Sequence, residues 1–233
     1  MTFQRPSSPI DATLKRAVEM DAPIDERLNL IREAMQRERP AYAAATEMLI
    51  SRLQVAKTGA NAPAAGEEMP SFFLPDVTGK LITLAELVAD GPVAVALHRG
   101  HWCHYCRMNA IALGEVHARV AAAGGRIVAI APDRRRYSAE MREESGITVL
   151  TDVDNAYALS LNLAVWIGDE LRELLAKAGF DLPEYHDNQD WMLPAPATFV
   201  VGSDGIVATR YVDPDYRQRM DVEELVTALQ RAR

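Results

Sequence analysis

Cysteine is scarce in this chain, with two among 233 residues, so a framework of several disulfides is excluded. Basic residues are also few: 25 lysines and arginines face 33 aspartates and glutamates, which gives a net charge of −8. This balance argues against nucleic acid as a partner, because phosphate binding requires a basic surface. No apolar run approaches the roughly 18 residues that cross a bilayer, so we expect no membrane association.

The compartment can be predicted from the first residues. No basic stretch leads into an apolar core at the N-terminus, so a signal peptide is not expected and we predict a cytoplasmic protein. An isolated cysteine pair in the reducing cytosol is more often catalytic or metal-binding than a structural staple.

The two cysteines stand three positions apart, between a predicted strand and a predicted helix. The strand is the apolar run Val93–Leu97, and the helix reaches from the cysteines to about Ala123. Residues i and i+3 of a helical turn are neighbours, close enough for a disulfide. The unpaired amides and the dipole of a helix start favour a thiolate, so Cys103 and Cys106 have the properties of a reversible redox centre.

The N-terminal part of the chain predicts helices. Residues 11–57 carry two apolar stripes with helical spacing, and Pro40 should end the first helix or open the second. A small-residue linker follows, so we assign residues 1–65 to a helical extension with its linker and residues 66–233 to the main domain. The stripes suit either a second copy of the chain, giving a homodimer, or the chain's own main domain. The stripe residues are Ile24, Leu28, Ile31 and Met35, then Tyr42, Ala45, Leu49, Leu53 and Ala56.

Beyond the linker, strand and helix patterns alternate and end in a hairpin and a last helix. The hairpin turn is predicted at residues 202–205, and Asp221 should cap the last helix. This order predicts an α/β fold with a mixed sheet covered on both faces. Residues 168–191 look like an insertion, with a helix at 170–178 and an irregular segment at 182–186. One hypothesis is that the insertion forms one wall of a substrate cleft, with Trp166 and Trp191 nearby; the alternative, which is more common for such aromatic residues, is that they only pack.

Several segments also match a known sequence pattern over about two thirds of the chain. They are Gly66, Pro70-Ser71-Phe72-Phe73-Leu74, Gly79, Arg99-Gly100-His101-Trp102-Cys103-His104-Tyr105-Cys106, Pro194-Ala195-Pro196-Ala197-Thr198-Phe199-Val200-Val201 and Val212-Asp213-Pro214-Asp215-Tyr216. The chain resembles the thioredoxin-like superfamily and, within it, the peroxiredoxin-like branch of the alkyl hydroperoxide reductase and thiol-specific antioxidant family.

This resemblance implies a thioredoxin-like α/β/α sandwich with a mixed central sheet, to which the helical extension is added. It also implies an antioxidant oxidoreductase that acts on a peroxide or a disulfide. No cofactor and no metal are expected. The reductant would be an external thiol, such as a thioredoxin or glutathione system.

The family's peroxidatic motif, Pro-x-x-x-Thr-x-x-Cys, places its reactive cysteine at Cys106. The threonine position is Cys103 and the proline position is Arg99. An arginine that peroxiredoxins carry before a late strand is replaced here by Pro196. In thioredoxins this position is a cis-proline beside the disulfide, and Trp-Cys-x-x-Cys is the active-site pattern.

Two redox mechanisms fit the pair. In a peroxidase, the Cys106 thiolate attacks the peroxide and becomes a sulfenic acid, with which Cys103 condenses before an external thiol reduces the disulfide. In a thioredoxin-like disulfide reductase without peroxidase activity, Cys103 attacks a substrate disulfide and Cys106 resolves the mixed disulfide.

Five residues are expected to support the cysteines. A charged His104 would stabilise a thiolate, although the alternative is an exposed residue without a role. Trp102 either packs beside the site or belongs to the core, and Pro196, as a cis-proline, would keep the backbone open to a substrate. Arg99 and Tyr105 complete the set.

The leading non-enzymatic alternative is a zinc or copper site. Cys103 and Cys106 lie with His98, His101 and His104 within nine residues, so five candidate ligands are clustered. Against this alternative, no second pair stands at zinc-finger distance, and His98 is expected to point away from the helix. A third alternative is a redox-inactive binding module built on the helical extension.

Overall fold

The computed structural model describes residues 9–232. Its helices are α1 (Pro9–Glu19), α2 (Ile24–Glu38), α3 (Pro40–Val55), α4 (Leu84–Val88), α5 (His104–Glu115), α6 (His117–Ala122), α7 (Arg135–Ser145), α8 (Ala156–Ser160), α9 (Asp169–Lys177), α10 (Leu182–His186) and α11 (Val222–Arg231). Its strands are β1 (Phe73–Pro75), β2 (Leu81–Thr83), β3 (Val93–Leu97), β4 (Arg126–Ala131), β5 (Thr148–Thr151), β6 (Ala164–Trp166), β7 (Met192–Pro194), β8 (Ala197–Val201) and β9 (Val207–Val212).

The central sheet has five strands in the order β5-β4-β3-β8-β9. β3 pairs with β4 and β4 with β5 in parallel, whereas β8 is antiparallel to both β3 and β9. The predicted mixed sheet and the predicted hairpin are therefore confirmed. Because β3 is the central strand, the segment that follows it leaves the sheet between β4 on one side and β8 on the other.

Alternate residues of the central strands face opposite layers, as the period of a strand requires. In β3, Ala94 and Ala96 belong to a core shared with α1, α2, α5 and α11. Val93, Val95 and Leu97 belong to a second core shared with α4 and α8. Helices thus cover both faces of the sheet, and the fold is a mixed α/β sandwich.

The N-terminal helices pack on the main domain. The first stripe lies in the core with α5, and α1 and α2 both contact α5. Arg27, almost fully buried, donates two hydrogen bonds of 2.7 Å to Glu115 at the end of α5 and one of 2.8 Å to the carbonyl oxygen of Ala17. Apart from the exposed Ala56, the residues of both stripes therefore pack within the chain. A homodimer through these helices would have to use their outer faces and stays a prediction.

Two local expectations need correction. The helix predicted to reach Ala123 is interrupted at Val116, where α5 ends and α6 begins. The segment predicted to be irregular at 182–186 is helix α10. Pro183 is tolerated there because it lies in the first turn, where its missing N–H has no helical partner.

Thr83 caps α4. Its hydroxyl accepts the Glu86 N–H at 3.1 Å, and the Glu86 carboxylate accepts the Thr83 N–H at 2.9 Å. None of the described helices has both the length and the apolar character that crossing a bilayer needs.

Candidate functional site

The two cysteines lie at the N-terminal end of α5, directly after the segment that leaves β3. Cys103 is the N-cap residue, and Cys106 lies in the first turn, with its N–H donated to the Cys103 carbonyl oxygen at 3.0 Å. Gly100 permits the turn before them, since its φ is +130° and a Cβ there would lie 2.5 Å from an Asp133 carboxylate oxygen. The strand-to-helix placement predicted for the pair is observed.

Both sulfur atoms are buried, but their protonation differs. Burial raises the pKa of the Cys103 thiol, but a hydrogen bond from Cys106 and the charges of Arg99 and Arg219 outweigh it and bring the pKa to about 6. For Cys106, burial, the hydrogen bond to Cys103 and the Cys103 charge hold the pKa well above its ordinary value. At neutral pH, Cys103 is therefore the thiolate and Cys106 the thiol.

The cation that stabilises this thiolate most is Arg99. Its guanidinium lies 3.7 Å from the ring centre of Tyr216 and 5.0 Å from that of Trp102, and the residue is 2% exposed. Burial lowers the pKa of Arg99, but the interactions with Tyr216 and Cys103 raise the pKa by more than burial lowers it, so the side chain stays charged. Nη1 and Nη2 make no hydrogen bond with any residue that the structure describes. A buried cation of this kind needs an anion, and the Cys103 thiolate supplies one.

A second arginine, which the sequence did not point to, reaches the other sulfur. Arg219 donates from Nη2 to the Cys106 Sγ at 3.5 Å, and the Arg99 N–H donates to the same atom at 3.3 Å. Arg219 is held by bonds from Nη1 to the carbonyl oxygens of Tyr216 and Gln218. The sequence gives one indication of Arg219: it lies three residues after Tyr216, the last residue of the segments that carry the family resemblance. These donors would stabilise a thiolate leaving from Cys106.

The two histidines beside the pair point to carboxylates rather than to the sulfurs. His104 is buried, and its Nε2 lies 3.1 Å from Asp11 Oδ1 of α1. His101 lies between two residues of α7, with Nδ1 3.3 Å from Glu140 and Nε2 3.2 Å from Glu144. His104 is therefore not the exposed residue of the alternative, although its role stays a prediction. Its electrostatic effect on the thiolate stays a prediction.

Arg107 extends this chain of charges. Its guanidinium donates to Glu144 at 2.6 and 2.8 Å and to Asp11 at 3.3 Å. Burial raises the pKa of Glu144, but hydrogen bonds from His101 and Arg107 outweigh it and lower the pKa to about 2. The alternating charges join α1 and α7 across the beginning of α5.

His98 contradicts one expectation. Its Nε2 lies 2.8 Å from Asn109 Oδ1 on α5, so it points toward the helix rather than away from it. The strand period explains this, because His98 shares the face of Ala94 and Ala96. Among the described residues, no group of three or more histidine, cysteine or acidic side chains is placed to hold a metal ion. The five candidate ligands of the metal alternative do not converge.

Trp102 and Tyr105 form the aromatic surroundings of the pair. Trp102 donates from Nε1 to the Arg99 carbonyl oxygen at 3.0 Å, and its ring centre lies 6.2 Å from that of Phe180. Tyr105 packs edge-on against Tyr216 with ring centres 5.8 Å apart, and burial raises its pKa. Both are buried beside the cysteines and also belong to the hydrophobic core, and their supporting roles stay predictions.

Pro196 lies between β7 and β8. The next residue, Ala197, is the register partner of Leu97 at the end of β3, which places the proline beside the start of the segment that leads to the cysteines. The peptide bond before Pro196 is trans, so the expectation of a cis-proline is wrong. Trans is the default form of such a bond, and residues 195–196 make no turn that would select the other isomer.

Asp133, after β4, supports the loop before the cysteines. It is fully buried and accepts the His101 N–H at 2.6 Å through Oδ2, and burial raises its pKa well above the ordinary value. His186 of α10 lies 3.9 Å from the other oxygen, and burial lowers its pKa to about 4. No sequence motif marked either residue.

A narrow cavity of about 20 Å³ reaches Cys103. Such a volume has room for about one water-sized group. Of its lining residues, Arg39 and Tyr42 are partly exposed, so they stand at its opening. Its walls are Met35, Arg39 and Tyr42 of the extension, Leu175 and Phe180 of the insertion, and residues 102–105.

The insertion therefore contributes a wall to the site, but through Leu175 and Phe180 rather than through the two tryptophans. Trp166 lies outside this cavity, with its ring 5.5 Å from the Arg52 guanidinium. Trp191 does not line the cavity either.

Comparison with known families identifies the sequence class. The family described as AhpC/TSA matches residues 65–210, which is more than half of the chain. The chain belongs to the AhpC/TSA family. Membership in AhpC/TSA supports thiol-dependent redox chemistry, for which the buried thiolate and its neighbouring thiol are suited. No curated protein sequence matches this AhpC/TSA chain.

Solved structures of similar fold are peroxiredoxins and related proteins. Peroxidoxin BcpB from Mycobacterium tuberculosis superposes with a TM-score of 0.56 at 20% identity, covering 73% of this chain and 99% of that protein. A peroxiredoxin-like protein from Aquifex aeolicus gives 0.57 at 13% identity, covering 72% and 87%. The reduced 2-Cys peroxiredoxin of Plasmodium vivax gives 0.54 at 13% identity, covering 72% and 95%. At these identities the likeness shows the thioredoxin-like fold.

Proposed function

We propose that the protein is a thiol-dependent peroxidase that reduces small peroxides through the Cys103/Cys106 dithiol, with Cys103 as the first nucleophile. The observation that carries this proposal is the difference between the two sulfurs. Cys103 has a pKa of about 6 and lines the cavity, whereas Cys106 has a raised pKa and no exposed surface. The roles of the two cysteines are therefore reversed relative to the family motif.

The two sulfurs together supply the two electrons that the reduction of one peroxide requires. The Cys103 thiolate attacks one peroxide oxygen, the O–O bond breaks, and the second oxygen leaves as an alcohol or water after gaining a proton. Cys103 is then a sulfenic acid. The Cys106 thiol attacks it, water leaves, and a disulfide forms. The free N–H groups of Arg99 are suited to stabilise the oxygen that gains negative charge.

Burial supports a small oxidant. Cys103 is 4% exposed, and the N-terminal helices stand between its sulfur and the surface. A peroxide can pass through a narrow cavity, whereas a disulfide on a folded protein cannot reach the sulfur without displacing α2 and α3. The external reductant is a thiol, and a cytoplasmic location would keep it in supply.

A disulfide reductase is the second candidate. It is favoured by the position of the thiolate, since a reactive cysteine at the N-cap with a resolving cysteine three residues later is the thioredoxin arrangement. The same covering helices limit this activity to small disulfides.

The deciding experiment uses single cysteine variants and a sulfenic acid probe. After one equivalent of peroxide, Cys106→Ser should be labelled at Cys103, and Cys103→Ser should be labelled far more slowly at Cys106. The double variant is the control for labelling elsewhere. Wild type should consume peroxide with a thiol reductant and form the disulfide.

Other outcomes contradict the proposal in distinct ways. Faster labelling at Cys106 would assign the first attack to that residue. No labelling and no peroxide consumption, with a small disulfide still reduced through Cys103, would establish the reductase instead.

A further inference from the structure

We infer that the cavity above Cys103 is a binding site for a small thiol that carries a carboxylate, and that Arg39 holds this carboxylate while the thiol reduces the Cys103–Cys106 disulfide. The inference rests on the proposed function, because it names the class of external reductant. Arg39 lies outside residues 65–210, so it does not belong to the part of the chain that the family shares.

Arg39 is a cation without an anionic partner among the described residues. Its guanidinium lies 5.5 Å from the centre of the Phe180 ring. This guanidinium makes no hydrogen bond or ion pair with any residue between 9 and 232, whereas the guanidinium of Arg37 pairs with Glu38 at 2.8 Å. The backbone around Arg39 joins α2 to α3, which fixes the place from which the side chain extends. A cation held on an aromatic ring is ready to bind a carboxylate.

The other walls of the cavity make this charge selective. They are largely apolar and aromatic, from Met35, Tyr42, Leu175 and Phe180, and no acidic residue lines the cavity. Arg99 adds a second positive charge, which is buried and acts on Cys103. In the oxidised protein, where Cys103 carries no charge, the two arginines therefore favour an anionic molecule over a neutral one of the same size.

The dimensions indicate how such a molecule would bind. About 20 Å³ admits the narrow end of a molecule, so a thiol sulfur can enter while its carboxylate stays at the opening beside Arg39. A dithiol on a folded protein would need α2 and α3 to move away. A low-molecular-weight thiol therefore fits this site better than a protein reductant.

The reaction needs two molecules of this thiol. The first, as thiolate, attacks the Cys103 Sγ, the Cys103–Cys106 bond breaks, and Cys106 leaves as a thiolate that takes up a proton. The donors of Arg99 and Arg219 stabilise this leaving group. A second thiolate then attacks the sulfur that the first small thiol contributed to the mixed disulfide. This step releases the small molecule as its disulfide and restores the Cys103 thiolate.

The test compares 3-mercaptopropionate with 2-mercaptoethanol as reductants of the oxidised protein. For each protein we take the ratio of the second-order rate constant for 3-mercaptopropionate to that for 2-mercaptoethanol. Because the intrinsic reactivities of the two thiols are the same in every experiment, a change in this ratio between variants reports on the binding of the carboxylate. This ratio should fall about fivefold or more in Arg39→Gln. It should stay unchanged in Arg37→Gln, which removes the same charge from the exposed end of α2. An equal effect on both thiols, an equal fall in Arg37→Gln, or faster reduction by thioredoxin than by mercaptopropionate at equal concentration would overturn the inference.

A companion measurement does not depend on disulfide formation. Iodoacetate and iodoacetamide have nearly the same shape but differ in charge, and both alkylate the reduced Cys103. Their rate ratio should fall in Arg39→Gln and not in Arg37→Gln. If peroxide fails to oxidise the pair while this ratio responds to Arg39, the peroxidase proposal fails and the anion site stands. If the ratio does not respond, the anion site fails whatever the result with peroxide.

Discussion

The guanidinium of Arg99 lies 3.7 Å from the centre of the Tyr216 ring. Tyr216 is itself positioned from the other end of the chain, since its hydroxyl is 3.3 Å from that of Tyr42 and 3.2 Å from that of Thr46. A desolvated cation–π contact of this kind stabilises by about 2 kcal/mol. Residues from α3, the segment between β3 and α5, and the loop after β9 therefore together fix the cation that stabilises the Cys103 thiolate.

Replacing Arg99 should raise the pKa of Cys103. In Arg99→Met the thiolate loses a buried positive charge, and we expect the pKa to rise from about 6 by about one unit or more. The ultraviolet absorbance of the thiolate as a function of pH measures this. Tyr216→Phe is the control, because it keeps the ring under the guanidinium and removes only the hydroxyl. An unchanged pKa in Arg99→Met would contradict the assigned role.

The stability of the reduced protein should depend on pH between the folded and unfolded pKa of Cys103. Its folded pKa of about 6 lies below the unfolded value of 9.0, so stability is lost as the pH falls from 9 toward 6. The slope is at most about 1.4 kcal/mol per pH unit. Cys106 has the opposite effect, because its raised pKa lowers the stability as the pH rises, but only above the pKa that this thiol has in the unfolded chain. Denaturant unfolding of wild type and Cys103→Ser checks this, and parallel pH profiles would refute it.

Tyr42 should limit access to Cys103. Tyr42→Ala widens the opening of the cavity, so a bulky aromatic disulfide reagent should react several-fold faster, with a smaller change for iodoacetamide. Tyr42→Phe keeps the ring and should behave as wild type. Stopped-flow measurement of both reagents separates access from reactivity, since a change in thiolate content would affect both reagents equally.

The ion pair between Arg27 and Glu115 should stabilise the docking of the extension. Glu115→Gln leaves the buried guanidinium with a weaker partner, and because Glu115 is half-exposed we expect a loss of about 1–2 kcal/mol. Glu38→Gln, which breaks the exposed pair with Arg37, should cost less than about 0.5 kcal/mol. Urea unfolding of the two variants compares these costs. Equal losses of unfolding free energy in the two variants would show that the Arg27–Glu115 pair stabilises the protein no more than an exposed ion pair does.

The elements that carry a strong local pattern were predictable. β3 is a continuous apolar run, Thr83 stands at a capping position, and the hairpin at 202–205 has its turn residues between two strands. The helix at 182–186 is hard to predict because a proline is typical of irregular chain, although Pro183 fits the first turn of a helix. The break at Val116 lies in a run of helix-forming residues and has no local signal.

The site was only partly predictable. Cys103, Cys106, Trp102 and Tyr105 are close in sequence, so their proximity follows from one turn. Arg219 lies 113 residues from Cys106, and its contact with the Cys106 sulfur depends on how the loop after β9 packs. Asp133, Phe180 and Arg39 likewise reach the site through tertiary packing, from segments without a recognisable motif.

The sequence by itself determined the redox pair and its helix-start setting, because spacing and capping are local and do not depend on the rest of the fold. It also determined the mixed sheet, since the order of apolar strands and helices leaves few arrangements. Only the tertiary structure decided which sulfur is the thiolate. Burial, Arg99 and Arg219 act on the two cysteines unequally, and that inequality arises from chain segments far apart in sequence.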